Sequence, residues 1–81
     1  MKNEEQITIY GTKWCPDCSR SKRLLDTKGV KYVWIDIEQN PDSAEIVRHL
    51  NKGLQVVPTI ILPGGKVLAE PSNSELENAL S

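Results

Sequence analysis

At 81 residues the chain is long enough for one small domain, and its 38% hydrophobic and 26% charged residues are typical of water-soluble globular proteins. A net charge of −1 gives no electrostatic reason to expect nucleic acid or an anionic membrane as a partner. The start MKNEEQ lacks the apolar core of a secretory signal, and the longest apolar stretch, VVPTIIL, is too short to cross a bilayer, so we expect a cytoplasmic protein.

A strand and a helix are predicted at the start of the chain. Residues Gln6–Tyr10 alternate in polarity and are rich in β-branched and aromatic side chains, which predicts a strand. After the loop GTKW, a helix is expected to begin at Pro16, because the first helical position has no intrahelical use for the N–H group that proline lacks. Gly29 is expected to end this helix near Lys28.

A second strand and a second helix are predicted in the middle of the chain. Residues Val30–Ile37 form an apolar run that predicts a mostly buried strand, with Val33 among its buried side chains. Asn40 is a suitable N-cap and Pro41 a suitable first residue for a helix that ends before Gly53. The apolar residues that this helix carries are Ala44, Ile46, Val47 and Leu50.

A hairpin and a third helix complete the predicted elements. Strands Pro58–Leu62 and Lys66–Ala69 are joined by the turn PGG, and the segment PSNSELENAL predicts a helix with Leu76 and Leu80 on its inner side. Two overlapping capping boxes fit its start, Ser74 with Glu77 or Ser72 with Glu75. The order β-α-β-α-β-β-α predicts a single α/β domain over residues 1–81, with a four-stranded mixed sheet and three helices on its two faces.

Both cysteines of the chain lie in the segment WCPDC. A structural zinc site needs four ligands, whereas the chain offers this pair and one histidine, His49, which is expected on the surface of the second helix. We therefore predict no metal site, and a reducing cytosol argues against a purely structural disulfide. A Cys-x-x-Cys pair that opens a β-α-β unit is typical of thiol–disulfide redox chemistry.

The two cysteines are expected to have different roles. The free N–H groups and positive dipole end of a helix favour an anion at Cys15, which makes it the expected attacking thiolate. Cys18, one turn inside the helix, is placed to break the mixed disulfide and close a Cys15–Cys18 bond. The roles of two neighbouring residues stay open. Asp17 either selects partners by its charge or is an ordinary aspartate of the first helical turn. Trp14 either contacts partners or covers the edge of the core.

Four segments between about Ile7 and Leu80 occur in a characteristic order and spacing: ITIYGTKWCPDC, KYVWIDIE, VVPTIIL and PSNSEL. This arrangement resembles that of the glutaredoxin family of the thioredoxin-fold superfamily. This resemblance implies a thioredoxin fold and a thiol–disulfide oxidoreductase that needs no cofactor beyond its cysteine pair. It also implies a cis peptide bond before Pro58 and a backbone contact between Val57 and the substrate. The implied substrate groove is formed by Thr12, Lys13, Trp14, Val57, Pro58, Ser72, Asn73 and Ser74.

Three features depart from the members that use glutathione. Thr12 stands where they have a lysine, Asp17 replaces their tyrosine, and Pro71–Ser74 replaces the glycines and aspartates that open their last helix. The segments KWC, DIEQN and PSNS are similar to the mycoredoxin branch, whose reductant is a different small thiol. We therefore expect a monomer whose partners are disulfide-containing proteins and a low-molecular-weight thiol such as glutathione or mycothiol.

Two alternative functions remain beside a dithiol oxidoreductase. The first is a thioredoxin-like electron donor recharged by a flavoprotein such as thioredoxin reductase. The chain lacks the SGFRPD-like stretch of donors specialised for ribonucleotide reductase, which counts against it. The second is a dimer that holds an iron–sulfur cluster, which Pro16 does not favour because cluster-carrying relatives usually have glycine there.

Overall fold

The computed structural model describes residues 6–80, and its elements follow the predicted order. The strands are β1 Ile7–Gly11, β2 Tyr32–Asp36, β3 Thr59–Ile61 and β4 Val67–Ala69. The helices are α1 Pro16–Thr27, α2 Pro41–Leu50 and α3 Asn73–Leu80. Both α1 and α2 begin at a proline, as predicted. Within the described residues, none of these helices has the length and apolarity needed to span a membrane.

The strands form one mixed sheet in the order β2-β1-β3-β4. Strands β1 and β2 are parallel, with Gly11 opposite Asp36 at their carboxyl ends. Strand β3 is antiparallel both to β1, with Tyr10 opposite Thr59, and to β4. The predicted crossover and hairpin are therefore confirmed, and β1 occupies the interior of the sheet just before the cysteine motif.

Two apolar clusters lie on the two faces of the sheet, because successive side chains of a strand point to opposite sides. Ile9 packs in a cluster with Leu25 of α1 and Leu76 of α3. Tyr10, the next residue, packs with Val47 of α2. Helices α1 and α3 thus cover one face and α2 covers the other, which fixes the start of α1 against the end of β1.

The prediction that Val33 is buried is wrong. Its side chain is 38% exposed, because β2 is an edge strand and the sheet face opposite Trp34 is only partly covered there. On α2, Val47 is fully buried, whereas Ile46 lies on the outer side and is 44% exposed.

The helix caps differ in part from those expected. Of the two capping boxes, the one that forms at the start of α3 is Ser72 with Glu75: the Glu75 N–H donates to Ser72 Oγ at 3.1 Å, and the Ser72 N–H donates to Glu75 Oε1 at 2.8 Å. Ser74 lies inside the first turn of α3. Asn40 occupies the N-cap position of α2, but its side chain donates to the Asp36 carbonyl at 2.9 Å instead of capping the helix.

Candidate active site

Cys15 lies at the N-cap of α1, where the extended chain turns into the helix. Its carbonyl accepts the Ser19 N–H at 3.2 Å, and its own N–H donates to the Thr12 carbonyl at 3.4 Å. Its Sγ is 3.9 Å from the Val57 carbonyl oxygen, and the residue is 6% exposed. The loop after β1 and the segment before β3 therefore meet at this sulfur.

The segment beside Cys15 is held by the end of α2. The Val57–Pro58 peptide bond is cis, Pro58 is buried and Val57 is half-buried. The Thr59 hydroxyl donates to the Val56 carbonyl at 2.7 Å and accepts the Asn51 amide at 3.1 Å. Asn51, which the sequence did not single out, thereby ties α2 to the backbone that contacts Cys15.

Cys18 is fully buried one turn into α1, and its sulfur lies directly against β1. A Cβ atom added to Gly11 would be 2.5 Å from Cys18 Sγ and 2.8 Å from the edge of the Trp34 indole. The close approach therefore requires glycine at position 11. Sequence reasoning assigned Gly11 to a loop, although a glycine adjoining a strand often marks such an approach.

Burial raises the pKa of the Cys18 thiol from its ordinary value of 9.0 to about 12. The neighbouring Cys15 sulfur also raises the pKa of Cys18, whereas a hydrogen bond with the Thr12 backbone and the charge of Lys22 lower it. The Cys18 sulfur therefore keeps its proton at neutral pH. Both cysteines are free thiols in this structure.

Asp17, between the cysteines, is linked to the start of α3 through Arg20. The Arg20 guanidinium donates to Asp17 Oδ1 at 3.2 Å, to Asn73 Oδ1 at 3.0 Å and to the Pro71 carbonyl at 3.4 Å. Local sequence does not indicate a role for Arg20, because its partners Pro71 and Asn73 are more than fifty residues away. Asp17 is thus more than an isolated first-turn carboxylate.

Trp14 lies on the surface beside the cysteines and is 69% exposed, so it does not cover the core edge. Its indole Nε1 donates to Glu38 Oε2 at 2.9 Å. Glu38 is held in turn, because its N–H donates to Asp36 Oδ1 at 2.9 Å. The contact with Glu38 fixes a large apolar surface next to the start of α1.

The other predicted groove residues are placed differently from one another. Lys13 and Ser74 are exposed, and Ser72 acts in the α3 cap. The Thr12 side chain is buried, and its carbonyl accepts the Cys15 N–H. His49 is exposed on α2, and within residues 6–80 no group of three or more His, Cys, Asp or Glu side chains is placed to hold a metal.

Comparisons with known proteins agree with this architecture. The glutaredoxin family model matches residues 7–68. A Mycobacterium tuberculosis protein named "putative glutaredoxin" is 39% identical over 74 residues, which cover 91% of this chain and 88% of that protein. Mycoredoxin 1 of Corynebacterium glutamicum is 36% identical over 70 residues, which cover 86% of each chain.

A solved structure extends the comparison to the fold. The structure of the glutaredoxin-like protein NrdH-redoxin from Escherichia coli superposes with a TM-score of 0.79 at 26% identity, covering 94% of this chain and 95% of that one. The predicted thioredoxin fold is therefore confirmed. Given the match to the family model over most of its length, the chain belongs to the glutaredoxin family and is a thiol–disulfide oxidoreductase.

Proposed function

We propose that the chain reduces protein disulfides, and mixed disulfides with a low-molecular-weight thiol, by a dithiol mechanism in which Cys15 attacks and Cys18 resolves. The observation that carries this proposal is the difference between the two sulfurs. Cys15 lies at the helix start beside the Val57 carbonyl, whereas Cys18 is fully buried with its pKa raised to about 12. Since the thiolate is the attacking species, Cys15 reacts first.

The reaction has two exchange steps. The Cys15 thiolate attacks one sulfur of the substrate disulfide, a Cys15–substrate disulfide forms, and the departing thiolate takes up a proton. Cys18 then loses its proton and attacks the Cys15 sulfur, which closes the Cys15–Cys18 disulfide and releases the second substrate thiol. Two molecules of a small thiol return the oxidised pair to its reduced state.

The substrate is proposed to lie between the Val57 backbone and the start of α3. Support comes from the contact of Val57 with Cys15 and from the Arg20 bridge, which brings Asn73 to the cysteine motif. The groove is proposed to be completed by Pro58, Lys13, Trp14, Ser72 and Ser74.

We propose that the protein works in the cytoplasm as a monomeric single domain over residues 1–81.

The roles of the two cysteines are tested by matched serine variants. Cys15→Ser is expected to reduce neither a protein disulfide nor a mixed disulfide with a small thiol. Cys18→Ser is expected to lose protein disulfide reduction but to keep reduction of the mixed disulfide, which needs one protein sulfur only. Ser19→Ala, an exposed site on the same turn, is the control. Activity that survives loss of Cys15 would contradict the proposal.

A second candidate function is a thioredoxin-like electron donor. It is favoured by the structural similarity to NrdH-redoxin, whose structure is described as explaining a thioredoxin-like activity profile. The oxidised protein should be incubated in parallel with glutathione, mycothiol, bacillithiol, and thioredoxin reductase with NADPH. Our proposal expects the fastest reduction with one of the small thiols, and fastest reduction by the reductase would support the second candidate instead.

A further inference from the structure

The resolving step of the proposed mechanism needs a negative charge on a sulfur that has no access to solvent. Cys18 is fully buried, and its burial is the largest cause of its raised pKa. A thiolate there must be stabilised from within the protein. Helix α1 and strand β2 bring one cationic side chain, Lys22, to this part of the molecule.

Lys22 lies four residues after Cys18, on the same face of α1. Its Nζ lies 3.8 Å from the centroid of the Trp34 ring, a distance at which an ammonium group is attracted to an aromatic face. The edge of the same indole and Cys18 Sγ both press against Gly11, so ring and sulfur are neighbours. The Lys22 ammonium group therefore lies on the face of the ring whose edge adjoins Cys18.

Within residues 6–80, the other groups that face Cys18 do not provide a positive charge. The residues that adjoin its sulfur are Gly11 of β1, Thr12 directly after that strand, and Trp34 of β2, none of which is ionisable. Of the titratable groups that act on it, Cys15 raises the Cys18 pKa and Lys22 lowers it.

We propose that Lys22, held on the face of Trp34, stabilises the Cys18 thiolate in the resolving step. This inference rests on the proposed dithiol mechanism. In that step Cys18 gives up its proton, its electron pair forms the bond to Cys15, the bond between Cys15 and the substrate sulfur breaks, and the departing thiolate is protonated. Lys22 does not touch the reacting sulfurs and acts through its charge alone.

The test follows both steps in one reaction. The reduced full-length protein is mixed in a stopped-flow instrument with a chromogenic aromatic disulfide, which releases one coloured thiolate when Cys15 attacks and a second when Cys18 resolves. The variants are Lys22→Met, which keeps an unbranched chain on Trp34, and Lys22→Arg, which keeps the charge. Arg23→Met, at an exposed neighbouring position, is the control for net charge.

In Lys22→Met the second release is expected to slow about threefold at neutral pH, in line with a partly screened charge interaction, and its pH profile is expected to move to higher pH. Lys22→Arg should restore both, and Arg23→Met should behave as wild type. An unchanged second phase in Lys22→Met, equal slowing in Lys22→Arg, or equal slowing in Arg23→Met would overturn the role of Lys22. A wild-type protein that releases a single equivalent would instead overturn the dithiol mechanism itself, and this inference with it.

Discussion

At Gly11 a single hydrogen atom occupies the space that any other side chain would need. The end of β1, the Cys18 sulfur and the Trp34 indole converge there, and all three are held by separate elements. The position of the resolving cysteine thus depends on a residue that has no chemistry of its own.

Substitution Gly11→Ala is expected to lower the free energy of unfolding by about 1–3 kcal/mol, the usual cost of overpacking a tight core. The reason is that the new methyl group overlaps Cys18 Sγ and the Trp34 ring. Urea unfolding of the reduced protein measures this loss. In a Cys18→Ala background the nearest overlap is gone, so the cost of Gly11→Ala should shrink; an equal cost in both backgrounds would contradict this account.

The cysteine pair and the helix that begins between its two members could be predicted from local sequence. The two thiols and the proline that starts α1 all lie within the five residues WCPDC. Arg20 and Glu38 could not, since their partners are distant in sequence. Arg20 contacts Asn73 across 53 positions, and Glu38 contacts Trp14 across 24. Such pairs are created by the packing of α3 on α1 and by the parallel pairing of β1 with β2, and no local pattern indicates them.

Helix α3 illustrates the same limit at the scale of one element. Its two overlapping capping boxes have the same spacing, and periodicity cannot choose between them. The structure starts the helix at Asn73, which makes Ser72 the capping residue. The burial of Val33 was mispredicted for a related reason, because an apolar run does not indicate whether its strand is central or at an edge.

The two serines at the start of α3 form a matched pair for experiment. Ser72→Ala is expected to lower the free energy of unfolding by about 1 kcal/mol, since it removes the acceptor for the Glu75 N–H. Ser74→Ala, at an exposed position inside the helix, is expected to change stability by less than about 0.5 kcal/mol. Both are measured by urea unfolding, and a larger loss for Ser74→Ala would show that the other box caps the helix.

Over the whole molecule, the buried thiol couples stability to pH. The pKa of Cys18 is about 12 in the folded protein against an ordinary value of 9.0. Well below pH 9 both states keep the proton, and stability does not depend on this group. Between these two values the unfolded state loses the proton while the folded state retains it, so unfolding becomes more favourable as the pH rises.

The reduced protein should therefore lose about 1 kcal/mol of its free energy of unfolding through Cys18 by about pH 10, relative to about pH 8. Cys18→Ala removes this contribution, whereas the raised pKa of Tyr32 is common to both proteins. The measurement is urea unfolding of the two proteins across this range with a reductant present. Parallel pH curves for wild type and Cys18→Ala would contradict the raised pKa.

The bridge from Asp17 through Arg20 to α3 has a consequence for exchanging active-site motifs between relatives. In this chain, replacing Asp17 removes the carboxylate that orients the Arg20 guanidinium, while Arg20 keeps its contacts with Asn73 of α3 and with the Pro71 carbonyl just before that helix. A motif transplanted here would therefore also change how the Arg20 side chain contacts α3. A change in substrate preference could then not be assigned to the dipeptide unless Arg20 were replaced with it.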